Sequence, residues 1–252
     1  MRQSPLFNKI ETNTAYFDEA EHATVKGVTI KTAFLLAITI IIAGVTAYFL
    51  PKILTYSAGP FLGILIGAAI IGFIAVMVGR LSERTAKYAS VIYSLCEGIF
   101  LGTLTRIAEE YVPGVGYIAI AITLTIFGVM LLLYAVGLLR SGSTARRILV
   151  AIAFAGLAMA LITTLVILIM NISGVTFDQS ILPWLILAEV FFLIYGVVTL
   201  LFNFDEANAI VNNGASKNAE WCVALGLQVS LIYIYVEVVR LIILIAAATD
   251  RK

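Results

Sequence analysis

Charge is scarce in this chain. Asp, Glu, Lys and Arg make up 12% of its 252 residues, against about 25% in an ordinary soluble domain. With 62% apolar residues, too few polar side chains remain to cover a water-facing surface. That excludes a soluble globular domain and indicates a polytopic membrane protein. Histidine is almost missing: His22 stands alone in a polar N-terminal stretch, which argues against His-based catalysis and His-rich metal centres. The two cysteines, Cys96 and Cys222, lie in or beside apolar segments without CxxC spacing, and read as small buried apolar residues. The sequence contains no GxSxG, HExxH or P-loop motif, so neither an enzyme nor a cofactor is expected. A net charge of +1 leaves no nucleic-acid footprint. Residues 1–26 are polar and mixed in charge, without the early apolar region of a secretory signal peptide.

What the chain has instead is long apolar runs. Seven are near the roughly 20 residues needed to cross a bilayer as helix: 32–50, 58–79, 88–106, 115–139, 148–171, 181–203 and 222–247. The expected fold is all-α, a seven-helix transmembrane domain over 27–248. A polar tail (1–26) precedes it and a short one (249–252) follows. The runs are continuous and lack the period of two of a barrel strand. Pro51, Pro60, Pro113 and Pro183 fall at span edges or in loops, where proline is tolerated, and Pro5 is in the tail. No internal repeat is visible. The segment 204–220 reads as the longest polar loop, with a turn at its Asn-Asn-Gly.

Basic residues set the expected orientation. Arg2, Lys9, Lys26, Lys31, Arg80, Arg84, Lys87, Arg140, Arg146, Arg147 and Lys217 fall on one side. Lys52, Arg106, Arg251 and Lys252 fall on the other, and Arg240 lies within a span. The excess puts the N-terminus in the cytoplasm and, with seven spans, the C-terminus outside.

Ionisable residues inside apolar runs are costly, about 2.5–3.5 kcal/mol each on insertion scales, and mark functional sites by default. Glu237 and Arg240 lie in SLIYIYVEVVRLIILIAAA, spaced i and i+3 to pair on one helix. With Ser230 and Tyr233 they form a polar stripe that must face the bundle interior; the opposite positions read as Val, Leu and Ile. Glu97 lies about 14 Å into its span, on a face with Ser90, Tyr93 and Ser94. Gly98 and Gly102 beside it permit close helix packing. Its alternatives are a functional carboxylate or structural glue. Glu189 has apolar neighbours and reads as a neutral carboxyl donating one hydrogen bond. Asp205 ends the sixth span, where a solvated acid is ordinary. Buried carboxylates close to one another resist ionisation and can share a proton, and their oxygens suit hard cations such as Ca²⁺. The chemistry on offer is therefore proton-linked cation binding or permeation.

The order of short motifs carries a family resemblance. SPLFNKIE and GVTIKTAFLL open the chain, and EGIFLGTLT (97–105) lies in span three. Phe204-Asp205 closes span six. After Trp221, the last span holds Tyr235, Glu237, Arg240 and Leu241 in the pattern Y-x-E-x-x-R-L. From about residue 5 to 247 the chain resembles the Bax inhibitor-1/YccA family, the transmembrane Bax-inhibitor-motif proteins, in its bacterial branch. The resemblance implies a seven-helix fold with the last helix central, in a bacterial cytoplasmic membrane. It also implies a pH-sensitive Ca²⁺ leak governed by an acidic dyad, whose matching residues are Asp205 and Glu237; no other metal ligand set is expected. The Arg that assists the dyad in the family has only Arg80, at the end of span two, as a loose counterpart. Because Glu237 lies roughly 22 Å into a span starting near 222, Glu97 and Arg240 stand as alternative partners for it. Expected partners are the lipid bilayer, Ca²⁺ and protons. A second reading is a non-conducting regulator that binds another membrane protein, such as a membrane protease.

Overall fold

The structure, a computed structural model, describes residues 22–135 and 182–249. The span expected at 148–171 and most of both tails lie outside the described residues. The elements are five helices in chain order: α1 Val25–Leu81, α2 Glu83–Tyr111, α3 Val115–Ala135, α4 Leu182–Asn212 and α5 Ala219–Thr249. Among the described residues there is no strand beyond one isolated bridge between His22 and Ser216.

Helix α1 comprises two stretches long and apolar enough to cross a membrane, Val25–Lys52 and Gly63–Leu81. It cannot be straight, because 57 residues of straight helix would span about 85 Å. Yet Lys31 bonds to Lys217 and Glu220 while Arg80 bonds to the Cys222 carbonyl, at one end of α5. The element therefore doubles back between Lys52 and Gly63, the region of Pro51 and Pro60. We call the end that gathers His22, Lys31, Arg80 and Glu220 proximal, and the opposite end distal. Helices α2, α3, α4 and α5 supply four more stretches of spanning length, six in all among the described residues.

Helix α5 packs against every other described element and holds the most extensive set of buried residues, so the last helix is central. In lipid, helix association rests on close packing and interhelical hydrogen bonds rather than on escape from water. Both devices are present. Glycines let backbones approach: a Cβ on Gly98 would meet the Ile42 side chain at 2.6 Å, and one on Gly102 would collide with the Ala43 carbonyl oxygen. Gly102→Val is accordingly expected to lower thermal stability in detergent, by about 1–3 kcal/mol as for other overpacked sites. The hydrogen bonds centre on Gln228, whose side-chain amide donates to Thr39 Oγ1 at 2.9 Å and to Ser94 Oγ at 2.8 Å. Those three buried residues tie α5 to α1 and α2 at mid-height. Tyr235 and Thr105 add a hydroxyl pair at 2.7 Å nearer the distal end. The side of α5 opposite its acidic stripe is thus not wholly aliphatic, as the sequence reading had it: Gln228 and Tyr235 lie there.

Outside this core, large apolar side chains face outward, among them Ile41, Phe73, Leu132, Leu187 and Ile194. On a soluble surface such an expanse would drive aggregation; on helices of membrane-spanning length it is a surface suited to lipid. Tyr48, Tyr111, Tyr117 and Trp184 are all largely exposed and all lie toward the distal end, as amphipathic aromatics do at a membrane boundary.

Two expected boundaries also need correction. Residues 204–212 are not loop: α4 continues through Asp205 to Asn212, with Phe204 and Ala207 buried. The turn is only 213–218, closed where Gly214 takes a positive φ of 61°, the left-handed geometry that ends helices at glycine. The last span also begins earlier than 222, at Ala219, because Glu220 belongs to its first turn.

Candidate functional site

The seam between α4 and α5 carries most of the membrane-buried charge. The two helices run antiparallel, so the early part of α4 meets the later part of α5. Glu189 is on α4. Glu237 and Arg240, three residues apart, project from one face of α5. Arg240 Nη2 lies 2.8 Å from Glu189 Oε1, and its Nη1 lies 3.4 Å from Glu237 Oε2. The carboxylate side chains are 8% and 4% exposed and the guanidinium side chain 28%, so both acids are withdrawn from solvent and the base reaches toward the outside. Two carboxylates share one guanidinium, leaving an excess negative charge when both are ionised. Glu189 Oε2 is buried, and the Glu189 and Glu237 carboxyls interact across the seam. The Tyr233 hydroxyl interacts with Glu237, and its ring packs edge-on against Tyr195. A Cβ on Gly196 would strike that Tyr233 ring at 2.7 Å, so glycine is what lets Tyr233 lie against α4.

Toward the proximal end the seam stays polar. Asn203 Nδ2 donates to Ser230 Oγ at 2.6 Å and to the Thr199 carbonyl at 3.1 Å. Arg80 follows, pairing with Glu206 at 3.0 Å and donating to the Cys222 carbonyl at 3.2 Å. A column of side chains therefore runs from Arg80–Glu206 through Asn203–Ser230 and Tyr195–Tyr233 to the Glu189–Arg240–Glu237 cluster.

The residues singled out from sequence are distributed unevenly along this column. Glu237, Arg240, Glu189 and Tyr233 come together. Asp205 does not join them: the Asn203–Ser230 bond sets the register and leaves Asp205 and Glu237 about 13 Å apart along the helix axes at 1.5 Å per residue. Glu97 is half-buried and interacts with Tyr93 on its own helix. Arg80 stands at the far end of the seam from Glu237. Glu189, read as a neutral carboxyl donating one hydrogen bond, lies 2.8 Å from Arg240 and also interacts with the Glu237 carboxyl; the guanidinium comes from another helix, and the sequence neighbours of Glu189 give no sign of it. Asn203 and Glu206 of this seam, and Gln228 of the core, are residues that the sequence reading does not single out. Each is a polar residue within or at the edge of an apolar run, the same signal that marked Glu237. Among the described residues no three His, Cys, Asp or Glu side chains are grouped to hold a metal ion.

A family model described as Bax inhibitor 1 like matches residues 4–247, nearly the whole chain. Comparison with curated proteins and with solved structures returns no match. The chain therefore belongs to the Bax inhibitor 1 like family, as a membrane protein with several apolar helices.

Proposed function

We propose that this Bax inhibitor 1 like protein is a proton-sensitive leak for cations, Ca²⁺ foremost, and that the α4–α5 seam is its path. The observation that carries this reading is the pair of buried carboxylates, Glu189 and Glu237, served by the single guanidinium of Arg240. Their unbalanced charge is met by a proton or by a cation, and the two compete for the same oxygens. Tyr233, Ser230 and Asn203 continue the polar lining toward the Arg80–Glu206 pair.

The seven-span reading is part of this proposal. Helix α3 starts beside Glu109 and Thr105, near the distal end. It runs proximally, where its Phe127 packs on Phe204. Helix α4 starts again at the distal end. An additional crossing between them satisfies both positions. Among the described residues the proximal end holds Lys26, Lys31, Arg80, Arg84, Lys87 and Lys217, against Lys52 and Arg106 at the distal end. This favours a cytoplasmic proximal end in a cytoplasmic membrane.

The test is Ca²⁺ efflux from proteoliposomes across a pH series. Glu237→Gln leaves Glu189 and Arg240 as a balanced pair, and its flux–pH curve is expected to flatten. Asp205→Asn, remote from the cluster, is expected to keep the wild-type curve. An unchanged curve for Glu237→Gln removes the cluster as the sensor. Efflux no faster than from protein-free liposomes would select a non-conducting regulator of another membrane protein instead.

A further inference from the structure

At the proximal end, three helices converge on one indole. Trp221, in the first turns of α5, has the Lys31 ammonium of α1 5.1 Å from its ring centroid and the Lys87 ammonium of α2 6.0 Å away. Phe34 of α1 meets the ring edge-on at 6.4 Å. The two lysines are not equivalent. Lys31 is taken up by Glu220 and by the Lys217 carbonyl. Lys87 is exposed and forms no ion pair among the described residues, and the Trp221 indole N–H donates to no acceptor there either. The Lys87 ammonium and the Trp221 N–H are thus both without an acceptor among the described residues, while the nearby acids are engaged elsewhere, Glu220 by Lys31 and Glu83 by the Ser216 hydroxyl. Arg84, one turn before Lys87, is exposed as well. An apolar strip leads away from this spot: Ile30, Phe34, Ile41 and Val45 share one face of α1, each half or more exposed.

We propose that Trp221 and Lys87, with Lys31 behind them, form a binding site for the headgroup phosphate of an anionic phospholipid, whose acyl chain lies along Phe34 and Ile41. The phosphate accepts from the Lys87 ammonium and the indole N–H. The cation–π contacts hold Lys87 against the ring in readiness for it. Basic recesses between spanning helices at the headgroup level bind lipid phosphates in this way, and interfacial tryptophan is suited to the same depth. The strip below distinguishes a lipid from a free phosphate, which has no use for it. This site lies at the opposite end of α5 from the Glu237 cluster and does not depend on the leak reading.

The chain has two tryptophans, Trp184 and Trp221. In Trp184→Phe protein, Trp221 is the sole reporter, and replacing the exposed Trp184 leaves the core untouched. The full-length protein in neutral detergent is titrated with phosphatidylglycerol, with phosphatidylcholine and with inorganic phosphate, and Trp221 emission is read. Saturable change with phosphatidylglycerol alone is expected, together with quenching when its acyl chains are brominated. Lys87→Gln should weaken the apparent affinity about fivefold, the scale of one lysine at a charged membrane surface. Its lipid-free melting temperature should stay at the parent value, since Lys87 is exposed. An equal response to phosphatidylcholine, an affinity unchanged by Lys87→Gln, or the same saturation by inorganic phosphate alone would each overturn the proposal.

Discussion

Arg240→Met is expected to be among the most destabilising single substitutions in this protein at alkaline pH, and much milder in acid. Methionine fills similar volume, so little is lost in packing. What remains is Glu189 and Glu237 together, 8% and 4% exposed, with no cation between them. Breaking a buried pair by removing one partner costs about 3–5 kcal/mol, because the stranded charge keeps its desolvation penalty. Here two charges are stranded and repel each other. Acid removes the penalty by protonating them, so the loss should shrink as pH falls. Thermal unfolding in detergent at about pH 8.5 and at about pH 5 reads this directly. A destabilisation equal at the two pH values would mean that Arg240 contributes packing rather than charge. The triple variant Arg240→Met, Glu189→Gln, Glu237→Gln is the control. With no charge left to strand, it should recover most of the lost stability, as neutral replacement of a whole buried ionic cluster commonly does.

The second large effect belongs to the proximal clasp. Glu220 is 1% exposed at its side chain and Lys31 15%. The Glu220 carboxylate accepts from the Lys31 ammonium, from the Thr24 backbone N–H at 2.7 Å and from the Thr24 hydroxyl at 3.2 Å. Thr24 is in turn the N-cap of α1, its hydroxyl accepting from the Gly27 N–H at 2.9 Å. One carboxylate thereby anchors the start of α5 to the start of α1. Lys31→Met leaves Glu220 buried with hydrogen bonds but no counter-charge, and should cost about 3 kcal/mol. Glu220→Ala strips all three donors of their acceptor and should cost at least as much. In both variants the loss is expected to be local first. Hydrogen exchange should accelerate in 22–31 and 213–220, where the Ala23 N–H bonds to the Ala215 carbonyl and the His22 ring to the Gly214 carbonyl. It should stay slow around Gln228. Uniform acceleration along the bundle would show that the clasp is no separate unit.

Much of the site was readable before the fold. The i, i+3 spacing of Glu237 and Arg240 is a property of one helix, and so is the stripe through Ser230 and Tyr233. The inward orientation of that stripe follows from the cost of presenting charge to lipid, and the buried positions of Ser230 and Glu237 agree with it. Glu220 was not readable. It follows a polar run of loop-like residues, and nothing in Asn-Ala-Glu announces that Lys31, 189 positions earlier, will meet it.

The chain's composition and periodicity determined that this is a helical membrane protein, where most of its spans lie and which face of the last helix turns inward, because each of these depends on residues a few positions apart. The partner of Glu237 was decided by tertiary structure alone. Asp205 and Glu189 are both acids on one helix, sixteen residues apart in sequence. Only the antiparallel register of α4 against α5, set by Gly196 under Tyr233 and by the Asn203–Ser230 bond, brings Glu189 to Arg240 and leaves Asp205 near the other end of the seam. Helical periodicity gives the angle at which a side chain leaves its helix. The axial offset between two helices comes from how their surfaces fit.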